Sequence, residues 1–331
     1  ERYYILDGEK ENLRDKFTKE QYAHIIKHKS KQHKDLFLKS DKIFISFSSL
    51  SIYHPFKNVA WYSDVTHYQL VYLQHGILHA SLQRMYAKEF TEIDKFVISS
   101  EFEKNNLIEN YDYSSEDLIM SGMPRMGVEK EHNAPENKIL FAPSWRQYLI
   151  GPLVENRRTL KDDEFLKSDF FREINDFLHS NELREVLQKN DLKLDFKLHP
   201  IFREYKKHFK VEDLENININ FDKTVLDEYK IFITDFSSYQ FDFVNLARPI
   251  IYFLPDPIEF KAGIHSYRKL DLKYEDAFGP LCLTSDNLLA EIKKVVESGY
   301  QVEEPYKSRM ENFFSISQNP CQKIYDAVTE E

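Results

Sequence analysis

The chain has 331 residues, a formal net charge of −10, and 42% hydrophobic and 15% aromatic residues. That length suits two domains of ordinary size or one large one, and the acidic balance gives no support to nucleic-acid binding as the main task. Only Cys282 and Cys321 occur, far apart, so no disulfide framework or cysteine-type zinc site is expected and a reducing compartment fits. Glycine is scarce at 8 residues against 20 Tyr and 26 Phe, which argues against a repeat-rich or disordered chain. No apolar run approaches the roughly 20 residues that span a bilayer, and there is no signal-peptide pattern. The chain starts at Glu1 rather than Met. We therefore expect a piece of something longer, whose flanks could carry an anchor or a second activity.

Residues 9–42 are charged and helix-prone, with Phe17, Tyr22, Ile25 and Ile26 as one apolar side. Lys27, Lys29, Lys31, Lys34, Lys39 and Lys42, with His28 and His33, form a local basic run. Two readings are open: a solvated helix face, or attraction to an anionic surface such as lipid headgroups or a phosphate-rich polymer. Strand-like segments then alternate with helical ones. Ile43–Phe47 is apolar and β-branched; Leu70–Leu73 runs into Gln74-His75-Gly76; Phe96–Ile98 runs into the helix start Ser99-Ser100-Glu101; Leu118–Met120 runs into Ser121-Gly122-Met123-Pro124-Arg125. Such alternation predicts parallel α/β layers, with ligands at the carboxyl ends of the strands.

The chain turns polar at Asn133–Asn137 and starts afresh at Lys138–Arg146, which places a domain boundary there: residues 1–135 and 136–331. Residues 151–170 read as a long charged loop and Phe171–Leu187 as one helix. Leu194–Leu198 leads into His199-Pro200, Ile217–Phe221 is a short strand, and Pro249–Leu254 ends in Pro255-Asp256-Pro257. A last apolar run, Leu281–Leu283, precedes helices at Leu288–Val296 and Tyr306–Val328, the last of which could return to the first domain. Two similar α/β halves predict two Rossmann-like domains facing one cleft.

Ile231–Phe243 concentrates the chemistry. A buried strand, Ile231–Ile233, ends at Thr234-Asp235, and Ser237 and Ser238 are good caps for a helix through Phe241 and Val244. Strand, polar turn and helix place backbone N–H groups and two hydroxyls where a phosphate binds, although a plain helix cap is the more frequent use of such residues. There is no Gly-rich phosphate loop and no Gly-x-Ser-x-Gly elbow. His75, at a strand end beside Gly76, suits removal of a hydroxyl proton; Gly76 would allow an unusual turn and close approach of a substrate. His79 lies four residues on and could share a helical face with His75, but no third ligand is in register, so no metal is expected. His199, fixed by Pro200, could bind a diphosphate or help a phosphate leave. Arg125 and Arg146 each follow a proline-containing turn, and guanidinium suits phosphate oxygens. Asp162-Asp163 lies in the predicted loop rather than after a strand, so metal-bridged nucleotide-sugar binding is not favoured.

His75-Gly76, Gly122-Met123-Pro124-Arg125, Ala142-Pro143-Ser144-Trp145-Arg146, Lys197-Leu198-His199-Pro200, Thr234-Asp235-Phe236-Ser237-Ser238, Phe241-Asp242-Phe243 and Arg248-Pro249-Ile250-Ile251-Tyr252 occur in that order. Each motif is short, but the ordered set, over roughly residues 70–285, resembles the CDP-glycerol:poly(glycerophosphate) glycerophosphotransferase family of teichoic acid polymerases and primases, with related capsule polymerase domains. The resemblance implies an α/β fold of GT-B architecture, with an acceptor-binding first domain and a CDP-donor-binding second domain. It implies transfer of glycerol or ribitol phosphate from a CDP-polyol to a phosphopolyol or polysaccharide acceptor, with CMP released and no cofactor. His75 would be the base; Arg146, His199, Asp235, Ser237 and Ser238 would serve the donor diphosphate, His199 as a second catalytic residue; Arg125 and Gly76 would meet the acceptor. Two stretches depart from the family pattern: Ile77-Leu78-His79-Ala80-Ser81 after Gly76, and Gly263-Ile264-His265-Ser266-Tyr267. The alternatives are a GT-B glycosyltransferase using a nucleotide sugar and a non-catalytic domain that binds anionic polymer or membrane. The enzyme reading places the protein in the cytoplasm, with peripheral contact to the anionic inner face of a bacterial membrane through the basic run and no nucleic-acid partner.

Overall fold

A computed structural model describes residues 1–8, 14–56, 66–127, 134–154, 157–221, 224–265, 267 and 269–330. The chain divides into two compact units, one made of residues 1–75, 83–127 and 316–331, the other of residues 76–82 and 128–315.

In the first unit, β1 (Tyr4–Leu6) pairs in parallel with β2 (Ile25–Lys27). Ile25 and Ile26 were expected on a helix face; they are instead buried in this strand. Two adjacent β-branched side chains favour the extended backbone, and the preceding helix is only Lys19–Ala23. Residues 9–13 of the expected helical stretch lie outside the described residues. Ser30 caps the helix Lys31–Phe37, which buries His33 and Phe37. The basic run is therefore not one solvated face: its lysines stay at or near the surface while His33 turns inward.

The main sheet of this unit is β3 (Lys42–Ile45), β4 (Gln69–Tyr72), β5 (Lys95–Ile98) and β6 (Leu118–Met120), parallel and in that spatial order. Central strands of a parallel sheet are covered on both faces and read as unbroken apolar runs; Leu70, Val71, Phe96, Val97 and Ile98 are fully buried. One face carries Val71, Val97 and Ile119 against Ile324 and Val328 of the C-terminal helix Pro320–Thr329. On the other, Phe96 meets Tyr72, Tyr86 and Tyr113 edge-on. Gly122, at φ 85, ends β6 beneath Ile316, where an added Cβ would lie 3.0 Å from the isoleucine Cγ2. The helix expected after Ser99-Ser100 is Glu101–Asn110, with the Ser100 hydroxyl accepting from the Glu103 amide at 3.2 Å.

The second unit holds six parallel strands: β7 (Lys138–Phe141), β10 (Lys193–Phe196), β11 (Ile217–Ile219), β12 (Ile231–Thr234), β13 (Ile250–Phe253) and β14 (Leu281–Cys282). Their spatial order is β11-β10-β7-β12-β13-β14. Counted within this sheet it is the doubly wound order 3-2-1-4-5-6, whose direction reverses beside the first strand and opens a ligand crevice at the carboxyl ends. Ile139, Phe141, Phe196, Ile231, Ile233, Ile251 and Phe253 point to one face and pack on Ile174, Phe177 and Leu178. On the other face Phe232 stacks on Phe243 at 4.6 Å.

The long loop expected at 151–170 is ordered structure. β8 (Ile150–Val154) and β9 (Arg157–Leu160) form an antiparallel pair, followed by the helix Asp162–Lys167. Phe165 of that helix stacks on Tyr205 at 3.9 Å and 6°, and Asp162 accepts from His208 Nε2 at 2.7 Å. The single helix expected at 171–187 is two, Asp169–His179 and Asn181–Lys189. Ser180 divides them: it closes the first in an extended conformation, and its hydroxyl caps the second by accepting from Glu182 N and Leu183 N. Residues 76–82 form no helix, so His75 and His79 do not share a helical face. Ala80 instead bridges Leu270, and the His79 carbonyl accepts from Asp271 N and Leu272 N.

Candidate active site

In the second unit the sequence-predicted residues gather where the strand order reverses. β7 ends in Ala142-Pro143-Ser144-Trp145-Arg146, and this loop is tied to the end of β12. Ala142 N donates to Ile233 O, Thr234 Oγ1 donates to Ala142 O, and Ser144 N donates to both oxygens of Asp235 at 3.1 and 2.9 Å.

Arg146 has 0% of its surface exposed. Its Nε and Nη2 grip Asp256, just beyond β13, at 2.7 and 2.9 Å, while Nη1 reaches Asp235 at 2.5 Å and Ser144 O at 2.8 Å. Phe170 and Phe236 lie against the guanidinium, 4.4 and 5.3 Å from its carbon. One cation thus fastens the ends of β7, β12 and β13 together. Burial alone would raise the Asp256 carboxyl; Arg146 and His265 hold it well below the carboxylate range. Burial opposes the Arg146 charge, and Asp256 and Asp235 restore it and raise its pKa. Tyr148 donates to Asp256 at 2.6 Å, and burial beside that carboxylate pushes the phenol up. His265 Nε2 lies 2.9 Å from Asp256 Oδ2 but off the line of a good hydrogen bond, and neither ring nitrogen has an aligned partner among the described residues. Ser266, in the same unusual stretch, lies outside the described residues.

Ser237 and Ser238 sit between β12 and the helix Gln240–Asn245. They are not side-chain caps of that helix in the simple sense. Tyr239 occupies the cap position, the Ser237 hydroxyl accepts from Tyr239 N at 3.3 Å, and Ser238 is exposed. An added Cβ at Gly76 would meet Ser238 Cβ at 3.6 Å, an ordinary contact. His79, fully buried, fixes this neighbourhood by donating from Nε2 to the Phe236 carbonyl at 2.7 Å. His199 follows β10 and leads the 3-10 turn Pro200–Tyr205. Its Nδ1 accepts from Ile201 N at 3.3 Å, so the neutral ring carries its proton on Nε2 and can donate there. Burial lowers its pKa and favours that neutral form. Trp145 lies beside it, ring centres 6.2 Å apart.

The first unit holds His75 and Arg125. The unusual turn expected at Gly76 falls at Gln74, whose φ is 63. Gln74 is buried, and its amide donates to Glu103 Oε1 at 2.9 Å while Glu103 Oε2 accepts from Ser99 N at 2.8 Å. This left-handed residue swings the chain off β4 and leaves His75 exposed. The imidazole stacks on Phe47 at 4.6 Å and 20°, with Nδ1 3.0 Å from Ser46 O and 3.2 Å from Tyr72 Oη. Arg125 is exposed on the turn Pro124–Gly127 after β6.

Asp256, Tyr148, His265, Phe47 and Tyr72 were not among the expected site residues. For Asp256 the flanking Pro255 and Pro257 at a strand end were the available signal; the others had none beyond their neighbours in sequence.

The family described as CDP-glycerol:poly(glycerophosphate) glycerophosphotransferase matches residues 2–330. The minor teichoic acid biosynthesis protein GgaB of Bacillus subtilis is 27% identical over 338 residues, covering 99% of this chain and 36% of the relative. The teichoic acid poly(glycerol phosphate) polymerase of the same organism is 26% identical over 218 residues, 64% of this chain and 25% of that one. The chain thus spans about a third or less of these relatives' length. The solved structure of the wall teichoic acid polymerase TagF superposes with a TM-score of 0.62 at 16% identity, covering 92% of this chain and 75% of that one, which shows a shared GT-B-like fold. The ordered motifs, the doubly wound second unit and the match along almost the whole length together make this chain a member of the CDP-glycerol:poly(glycerophosphate) glycerophosphotransferase family.

Proposed function

We propose that the protein transfers a polyol phosphate, glycerol or ribitol phosphate, from a CDP-polyol to a hydroxyl of a growing teichoic acid or capsule polymer and releases CMP. The observation that carries this reading is the family match over residues 2–330. The glycerol phosphate polymer named for one relative and a TagF variant soaked with CDPG support glycerol as the first donor to test. His75 Nε2 takes the acceptor proton as the hydroxyl oxygen bonds to the β-phosphorus; the bond from that phosphorus to the bridging oxygen breaks, and CMP leaves with the electron pair. His199 Nε2–H and the Ser237 and Ser238 hydroxyls donate to diphosphate oxygens, where charge grows as CMP departs. Arg146 and Asp235 serve the donor by holding the loops that carry these groups, since their polar atoms face each other in the interior. Arg125 and Gly76 meet the acceptor or its phosphates.

The test offers CDP-glycerol, CDP-ribitol and UDP-sugars with a phosphopolyol acceptor and follows released nucleotide. CMP from a CDP-polyol is expected, and consumption of UDP-sugars alone would sink the proposal. His75→Ala is expected to lose turnover and keep donor binding; unchanged turnover would point to a binding domain instead.

Peripheral contact with the anionic cytoplasmic face of a membrane is part of the same proposal. Lys27, Lys29, Lys31 and Lys39 are exposed, and so are the nearby Leu38, Phe44, Leu50 and Ile52. Basic and apolar side chains together suit a headgroup layer. Among the described residues no helix is long and apolar enough to cross a membrane.

A further inference from the structure

A histidine acts as a base only through a ring nitrogen that bears no proton, so its tautomer matters as much as its position. At His75 the environment of Nδ1 settles the tautomer. The Ser46 carbonyl, 3.0 Å away, can only accept, so Nδ1 must be the donor. Tyr72 Oη, 3.2 Å away, can share that proton, because its own hydrogen is directed to Tyr86 Oη at 3.3 Å. Tyr72 is buried and burial raises its phenol pKa, so it stays neutral. Phe47, 48% exposed, covers one face of the ring at 4.6 Å and restricts its rotation.

We infer that Tyr72, the Ser46 carbonyl and Phe47 are the positioning elements of the base: they fix His75 as the Nδ1–H tautomer and present a bare Nε2 to the acceptor hydroxyl. The orienting partners are neutral. A carbonyl and a phenol select the tautomer without setting a charge beside the ring. The inference rests on the proposed role of His75, but the tautomer can be read without turnover.

The experiment is 15N–1H NMR of the histidine rings above their titration, with the His75 signals assigned by their loss in His75→Ala. A bare-type Nε2 and a protonated Nδ1 are expected. In Tyr72→Phe the Ser46 carbonyl still holds the Nδ1 proton, so the tautomer should stay Nδ1–H while its signal shifts with the lost partner, and kcat should fall about tenfold, a fraction of the range general bases supply, with the KM for the CDP donor unchanged. Phe47→Leu should lower kcat several-fold at unchanged donor KM, and Phe47→Tyr should restore it; this pair also serves if Tyr72→Phe fails to fold. A protonated Nε2 in the wild-type protein overturns the inference. So does a Tyr72→Phe protein in which neither the Nδ1–H signal nor kcat changes, and so does a Phe47→Leu protein of unchanged kcat. A bare Nε2 together with full turnover in His75→Ala leaves the tautomer assignment standing and removes the base from the proposed function.

Discussion

At the scale of single residues, the second unit depends on one buried cation. Arg146 joins carboxylates 89 and 110 positions away in the chain, and sequence carries no mark of partners so distant. Arg146 was legible as a phosphate-suited group at a strand end; that its donors turn inward was not. Removing one member of a buried ion network leaves uncompensated charge and is strongly destabilising. Arg146→Met should therefore lower stability by about 3–5 kcal/mol in urea unfolding, whereas a residue whose only task is to touch donor would change binding and leave the midpoint in place. His33 gives a pH dependence. Burial, and then the neighbouring His28 and His54, lower its pKa to about 4. The unfolded chain, with an ordinary histidine near 6.5, takes up the proton first as the pH falls. Stability should thus decline from about pH 6.5 down to about 4 and then cease to change through this group. Thermal melts across that range should show a shallower decline in His33→Gln than in the wild type.

At the scale of elements, the parallel strands were legible because strands buried on both faces appear as apolar runs: β4, β5, β10, β12 and β13 all lie within their expected spans to about a residue. The β8–β9 pair was hidden by Gly151, Pro152 and a charged flank, which read as loop while their pairing depends on contacts no local pattern encodes. Ile25-Ile26 resembles a helix face in sequence because a strand as short as β2 has too few residues to display a period of two. The C-terminal helix completes the face of the first sheet through Ile324 and Val328. Ile324→Ala should cost about 2–5 kcal/mol through lost burial and the cavity left behind. Hydrogen exchange should accelerate in β4 and β5 and stay unchanged in β7 and β12; equal acceleration in both units would contradict the separate cores.

At the scale of the whole molecule, a protein of net charge −10 carries its basic run on a short stretch near the start of the chain. Attraction to an anionic bilayer should then be local and salt-sensitive, because exposed charges are screened beyond about 8–10 Å at ordinary ionic strength. Cosedimentation with phosphatidylserine vesicles should weaken as salt rises and drop further when Lys27, Lys29 and Lys31 are changed to Gln. Binding indifferent to salt, or none at all, would count against this mode. The alternation of strands and helices made two α/β units legible. It did not reveal that residues 76–82 belong with the second unit, since a segment of that length without regular structure carries no pattern of its own.

The division of the chain also sets an order of events during synthesis. Residues 1–75 and 83–127 emerge early, yet the sheet they form lacks the cover supplied by residues 316–331 until translation has passed through the whole second unit. The second unit has all of its own chain once residue 315 has left the ribosome. The half made first is thus completed last, and its apolar sheet face, with Val71, Val97 and Ile119, is the surface that nascent-chain chaperones would meet in the interval.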